Sequence, residues 1–172
     1  FPVGRFVGGS LYKSETRVNE KTKEERQSYS FAVAIPKGTE QHWNQTEWGR
    51  LIWAEGAENA PSMHQNPAFA WKVKDGDSAV PNRKGNKPCD NEGWPGHWVM
   101  WLSSGFAPKI YNADGTQPIN EVDAVKPGYF IQVFGNVAFN KSTDSPGVYL
   151  TYSAVAFSAY GPEIQLSAGV DA

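Results

Sequence analysis

The sequence predicts a mainly β fold, a small five-stranded barrel with one amphipathic helix and long loops. Three observations carry this expectation. The chain holds 17 Gly and 12 Pro in 172 residues, so turns are frequent. Stretches that alternate apolar and polar residues recur, which is the period of half-buried strands. Only one stretch has helical spacing. With 40% hydrophobic and 20% charged residues, the chain suits a single domain over residues 1–172, with a core of its own.

The elements follow in order. Residues 1–12 read as a Gly-rich aromatic lead-in, and 13–26 as a polar loop or exposed hairpin, so 1–27 is taken as an N-terminal extension. Ser28 to Ile35 alternates polar and apolar residues and stops at Pro36-Lys37-Gly38, a strand closed by a turn. Trp48, Leu51, Ile52 and Glu55 recur at helical spacing, with Thr39 as a cap and Gly56 as a stop. This predicts a helix over about 40–55. Residues 57–67 are a loop. Phe69 to Lys74 reads as a strand with Phe69, Trp71 and Val73 on one face and Ala70, Lys72 and Lys74 on the other.

After Asp75-Gly76-Asp77 comes a long loop, Pro81 to Pro88, and then Trp94-Pro95-Gly96. Strands follow at His97–Ser103, Lys109–Asn112, Tyr129–Phe139 and Val148–Tyr160. The loop Asn140–Gly147 joins the last two, and 161–172 forms a tail. About five strands and one helix match the OB-fold, a partly open five-stranded Greek-key barrel whose loops bind oligonucleotides. A β-sandwich is the structural alternative, because a strand count does not separate the two.

The formal net charge of -2 argues against nucleic acid until it is divided along the chain. Residues 1–59 are neutral, 60–111 carry +2, and 112–172 carry -4. Lys72, Lys74, Arg83, Lys84 and Lys87 face only Asp75 and Asp77 within 72–88. Trp71 and Trp94 flank this segment. Cations beside aromatics are what sequence-tolerant single-strand binding needs: the cations meet phosphates and the rings stack on bases. A solvated loop is the plain alternative.

Strand alternation sorts the aromatics. Trp98, Met100 and Leu102 share a core face, leaving His97, Val99 and Trp101 outside. Phe134 lies outside with Phe130, Gln132 and Asn136. Tyr149 lies outside with Thr151 and Ser153, unless a bulge swaps those faces. Trp94, in a Gly/Pro-rich loop beside the basic segment where a Trp has little core to enter, joins Trp101, Phe134 and Tyr149 as a candidate stacking residue. Trp43, Trp48, Trp53, Trp71 and Trp98 are assigned to packing.

Other chemistry finds little support. Cys89 is the only cysteine, so neither an intramolecular disulfide nor a Cys-based zinc site is expected. His42, His64 and His97 are far apart, and no nucleophile elbow or Walker loop occurs. Asp75-Gly76-Asp77 reads as a turn, not a metal site. No catalytic residue, metal or cofactor is assigned. No apolar run approaches the roughly 18 residues that span a bilayer. The chain opens Phe1-Pro2 and not with Met, so a processed or trimmed start is expected.

The order and spacing of several pieces resemble a family of bacteriophage single-stranded-DNA-binding proteins with an OB-fold. The pieces are Lys74-Asp75-Gly76-Asp77, Gly96-His97-Trp98, Asp114-Gly115-Thr116-Gln117-Pro118-Ile119, Lys126-Pro127-Gly128-Tyr129 and Gly147-Val148, with the helix after Pro36-Lys37-Gly38. They cover roughly residues 28–160. The resemblance implies a non-enzymatic role in phage DNA replication and recombination. It implies work in the cytoplasm of the infected host, with phage or host replication proteins as partners. Two departures stand out. Family members often carry an acidic C-terminal tail, whereas Leu166 to Ala172 holds one acid, Asp171. The segment Pro81 to Cys89 is also longer and more basic than the family pattern. A carbohydrate-binding β-sandwich is the alternative reading, since Trp, Asn and Gln suit sugar faces too.

Overall fold

A computed structural model describes residues 1–142 and 145–166. Eight strands and one α-helix follow in the order β1 (Gly4–Gly9), β2 (Glu15–Val18), β3 (Glu25–Pro36), α1 (Glu47–Asn59), β4 (Val73–Asp75), β5 (His97–Ser104), β6 (Lys109–Tyr111), β7 (Phe130–Asn140) and β8 (Gly147–Ala159). The sheet runs β4-β5-β3-β1-β7-β8-β6, with β2 paired to β3 alone. β5 and β6 are separated only by Gly105–Pro108, yet they stand near opposite ends of that order. The sheet therefore curls, and the parallel pairing of β6 with β8 closes it. A parallel bridge from Ala70 to Gly147 adds to the closure on the β4 side. The five strands β1, β3, β5, β7 and β8 form the barrel. This is the OB-fold, in which β3 and β5 take the second and third places.

The closing break is held from inside. The Tyr152 hydroxyl donates to the Phe106 carbonyl at 2.7 Å and lies 3.2 Å from that of Tyr29. Inward residues of the alternating strands fill the barrel: Phe6, Phe31, Val33, Trp98, Met100, Leu102, Ile131, Val133, Leu150 and Val155 are all buried. α1 packs on β7 and β8 through Ile52, which is fully buried. The expected core face Trp98, Met100 and Leu102 is observed, as are the outward Phe134 and Tyr149, 49% and 41% exposed. The β7–β8 ladder has irregular register at Phe130/Ile131 and Phe134/Gly135, away from Tyr149.

Several expectations are corrected. The lead-in over 1–12 contains β1, a central strand paired with both β3 and β7. The polar stretch after it is the hairpin alternative, with β2 folded onto the start of β3. The helix begins later and runs further than 40–55. His42 and Gln45 form a capping box around a separate 3-10 turn, Trp43–Gln45, and Thr46 caps α1 through Gly49 N. Gly56 does not stop the helix; it lies against the Trp71 ring. Leu51, expected on the apolar face, is 69% exposed. The strand expected over Phe69–Lys74 is broken, because Lys72 has a left-handed backbone with φ 64°. Only Val73–Asp75 pairs with β5. The first part of the expected tail is not loose: Ile164 is buried beside Val7 and Trp94, and its N–H bonds the Pro127 carbonyl at 2.9 Å. Residues 167–172, which include Asp171, lie outside the described residues.

The long loop between β4 and β5 is seated by one close approach. Gly76 sits so near the chain at Trp94 that a Cβ there would fall 1.9 Å from the Trp94 carbonyl oxygen. Gly76→Ala must push two backbone segments apart, so it is expected to cost at least about 2 kcal/mol. Urea denaturation measures this as a lower midpoint with an unchanged slope.

Candidate nucleic-acid interface

The outer face of β3 and β5 is divided in two. One part is covered. Trp94 is 1% exposed and packs with Val7, Ala32, Ala34, Val99 and Ile164. The sequence offered Trp94 as a stacking platform because a loop Trp has little core to enter. The loop instead folds back and makes a small second core, so Trp94 is removed from the site. Its role is to back Trp101, whose ring centroid is 6.5 Å away.

The other part is open. A cleft of about 770 Å³ is lined by Arg17, Ser30, Lys72, Lys74, Pro81, Asn82, Arg83, Lys84 and Trp101. β3 and β5 place Ala32 opposite Trp101 and Ser30 opposite Ser103, so Ser30 and Trp101 share the outer face. The Trp101 Cη2 edge lies near Gly8, where an added Cβ would be 3.4 Å away. Trp101 Nε1 is buried with no hydrogen-bond partner among the described residues. That edge of the indole is thus turned inward, and the half-buried remainder borders the cleft.

Five cations surround this ring, and no described residue lining the cleft is acidic. Lys72 and Lys74 are half-buried. Burial pulls the Lys72 ammonium below its ordinary 10.5, and Arg17 pulls it further. Burial likewise lowers Lys74, with Lys72 adding to the effect. Arg17, Lys72 and Lys74 thus repel one another across the cleft.

The two nearby acids are occupied elsewhere. Lys37 Nζ contacts Asp75 Oδ1 at 2.5 Å and Asp77 Oδ2 at 2.8 Å. Partial burial works against the Lys37 charge, but the bonds to both carboxylates outweigh it and raise its pKa. Asp77 is held below its ordinary range by Lys37 first and by the Gly96 N–H second. Asp75-Gly76-Asp77 is therefore a structural turn.

The basic loop has its own frame. Asn82 Oδ1 accepts from the N–H groups of Lys84 and Asn86 at 2.9 and 3.0 Å, while Asn82 N donates to the Asn86 carbonyl. This sets Arg83 and Lys84 at the cleft. Lys87 is exposed and outside the lining.

Tyr149 extends the site at the other end, where Lys72 Nζ lies 5.7 Å from its ring centroid, within cation–π range. Phe134 is not brought to this cluster. Tyr149 pairs with Ala138, and Phe134 lies four residues further along β7, about 13 Å away at strand rise. Arg17 is the residue the sequence reading missed. It stands on β2 opposite Arg26, and only the pairing of that hairpin with β3 carries it to Lys72.

The comparisons agree with this architecture. The fold is that of OB-fold proteins which, as solved structures, are described as single-stranded DNA-binding proteins of bacteriophages. The single-stranded DNA-binding protein from bacteriophage Enc34, solved in complex with ssDNA, aligns over 95% of this chain and 86% of its own, with a TM-score of 0.67 and 13% identity. A second structure of the Enc34 single-stranded DNA-binding protein aligns over 98% of this chain and 84% of its own, with a TM-score of 0.67 and 14% identity. Gp2.5, a single-stranded DNA-binding protein encoded by bacteriophage T7, aligns over 96% of both chains, with a TM-score of 0.54 and 12% identity. No family model matches the sequence, and no curated protein does.

The lowered lysines have a consequence for stability. Their folded values lie below the unfolded 10.5, so the penalty for charging them is full at neutral pH. It is relieved as pH rises through the folded values toward 10.5. Lys72→Met/Lys74→Met is expected to raise Tm at pH 7. Calorimetry at a series of pH values should show that advantage shrink as pH approaches 10.5.

Proposed function

We propose that this chain binds single-stranded DNA with little sequence preference and does no chemistry on it. The observation that carries the reading is the cleft on β3 and β5, where five cations surround Trp101 and no acid stands among the described lining residues. In OB-folds the face of the second and third strands, with the loop between the first and second, binds oligonucleotides. Here that face holds Ser30 and Trp101, Lys72 and Lys74 flank it at and just before β4, and that loop holds Arg17. Phosphates would lie against Arg17, Lys72, Lys74, Arg83 and Lys84, and bases would stack on Trp101 and Tyr149. Lys87 and Phe134 would meet only a strand that continues beyond the cleft.

Similarity to the two phage proteins supports the same role, in replication and recombination of phage DNA within an infected host cell. Among the described residues no helix is long and apolar enough to cross a membrane. The cations weigh against the carbohydrate reading, because an uncharged sugar gains nothing from a cleft lined by five basic side chains.

A titration with oligothymidine, duplex and RNA at several salt concentrations tests the proposal. Binding to oligothymidine should quench Trp fluorescence. Its affinity should fall with salt along a log–log slope near -3.5 if all five cations meet phosphates. Lys72→Ala/Lys74→Ala should make that slope shallower by about 1.4 with folding intact. Salt-independent binding, or none, would overturn the reading.

Stacking is tested separately. Trp101→Leu should weaken oligothymidine binding by about 1–3 kcal/mol while leaving the salt slope unchanged, because no phosphate contact is lost.

A further inference from the structure

A second cavity, of about 560 Å³, opens between the start of α1 and the loop that leads to Lys72. Its walls are aromatic. Trp53 and Trp71 stack in parallel at 4.7 Å, Trp43 lies 5.4 Å from Trp71, and His64 meets Trp53 edge-on at 5.4 Å. A packing role accounts for Trp43, which is 5% exposed. Trp53 and Trp71 also pack against the core, yet they and His64 remain partly open to solvent.

The polar groups of the cavity are of defined sense. His42 Nδ1 accepts from Asn44 N at 3.3 Å, so its proton is on Nε2. His64 Nδ1 lies 2.9 Å from the Ala60 carbonyl and must donate to it, so in the neutral ring Nε2 carries a lone pair. The lining thus includes one imidazole donor and one imidazole acceptor, with the amides of Asn44, Gln65 and Asn66 beside them. Among the described residues no charged side chain lines it. A phosphate has no partner there, whereas a flat neutral ring with donors and acceptors on its edge does.

Position supplies the source of such a ring. Trp71 lines this cavity and Lys72, the next residue, lines the cationic cleft. The left-handed backbone at Lys72 marks the point where the chain passes from one to the other. We infer that the cavity takes a nucleobase, turned out from the strand whose phosphates lie in the cleft. The inference rests on the single-strand reading and extends the bound strand toward α1.

Photocrosslinking tests it on the whole chain. Oligothymidine with scattered 5-iododeoxyuridine is bound, irradiated and digested with trypsin. The peptide Leu51–Lys72 contains Trp53, His64 and Trp71 but none of Trp101, Phe134 or Tyr149. An adduct fragmenting to Trp53, His64 or Trp71 is expected. His64→Ala should reduce that adduct and weaken binding of the same oligonucleotide about two- to tenfold, with an unchanged near-ultraviolet spectrum outside the Trp band. Tight binding with adducts only in the peptides of Trp101 or Tyr149 would overturn the inference and leave the single-strand reading standing. No binding at all would remove both.

Discussion

The pairing of Lys37 with Asp75 and Asp77 governs much of this molecule. It ties the end of β3 to the turn after β4, and it places a cation 4.3 Å above the Trp98 ring. The Lys37 N–H bonds the Gly96 carbonyl, and the Gly96 N–H bonds Asp77 Oδ1. The two ends of the long loop are thereby fixed to one another, which lets Trp94 fold back over the sheet. The same pairing removes both acids from the neighbourhood of Lys72 and Lys74. One ion-pair network therefore shapes the loop and leaves the adjacent cleft positive.

The cleft stores its cations at a cost. Half-buried lysines beside an arginine are less stable charged than in water, and a non-glycine residue at φ 64° adds backbone strain of order 1 kcal/mol. Such costs persist where the surrounding structure enforces them, and here it does. β4 is anchored to β5 on one side of Lys72, and Ala70 is anchored to Gly147 on the other. A polyanion would relieve the repulsion, so part of the binding free energy is already present as destabilisation of the free protein.

How much of this was legible in the sequence depends on the range of the interaction. Alternation in β5, β7 and β8 is local, and it separated Trp98 from Trp101 and put Phe134 and Tyr149 outside. The basic character of 72–84 was equally plain. What failed was long-range. Nothing near Trp94 announces that Val7 and Ile164 will cover it. Nothing near Arg17 announces Lys72, because their meeting requires the β2–β3 hairpin and the β3–β5 pairing together. Gly56 illustrates the same limit from another side: as a local signal it reads as a helix stop, but its lack of a Cβ serves the approach of Trp71.

The aromatic content divides along the same line. Trp94 and Trp98 are spent on packing, and Trp43 is nearly so. Trp101 is supported from behind by Trp94 and seated on Gly8, an arrangement that holds an indole rigid at a surface while hiding its polar edge. A ring fixed in this way loses little conformational entropy on stacking, so it can act on any base. The cations beside it are indifferent to sequence for a different reason, since every phosphate is alike. A strand bound in the cleft would thus be held with little regard to sequence, through both kinds of contact. Any preference among bases would have to arise where base edges meet fixed donors and acceptors, as they would in the neutral cavity beside Trp71 if it takes a base.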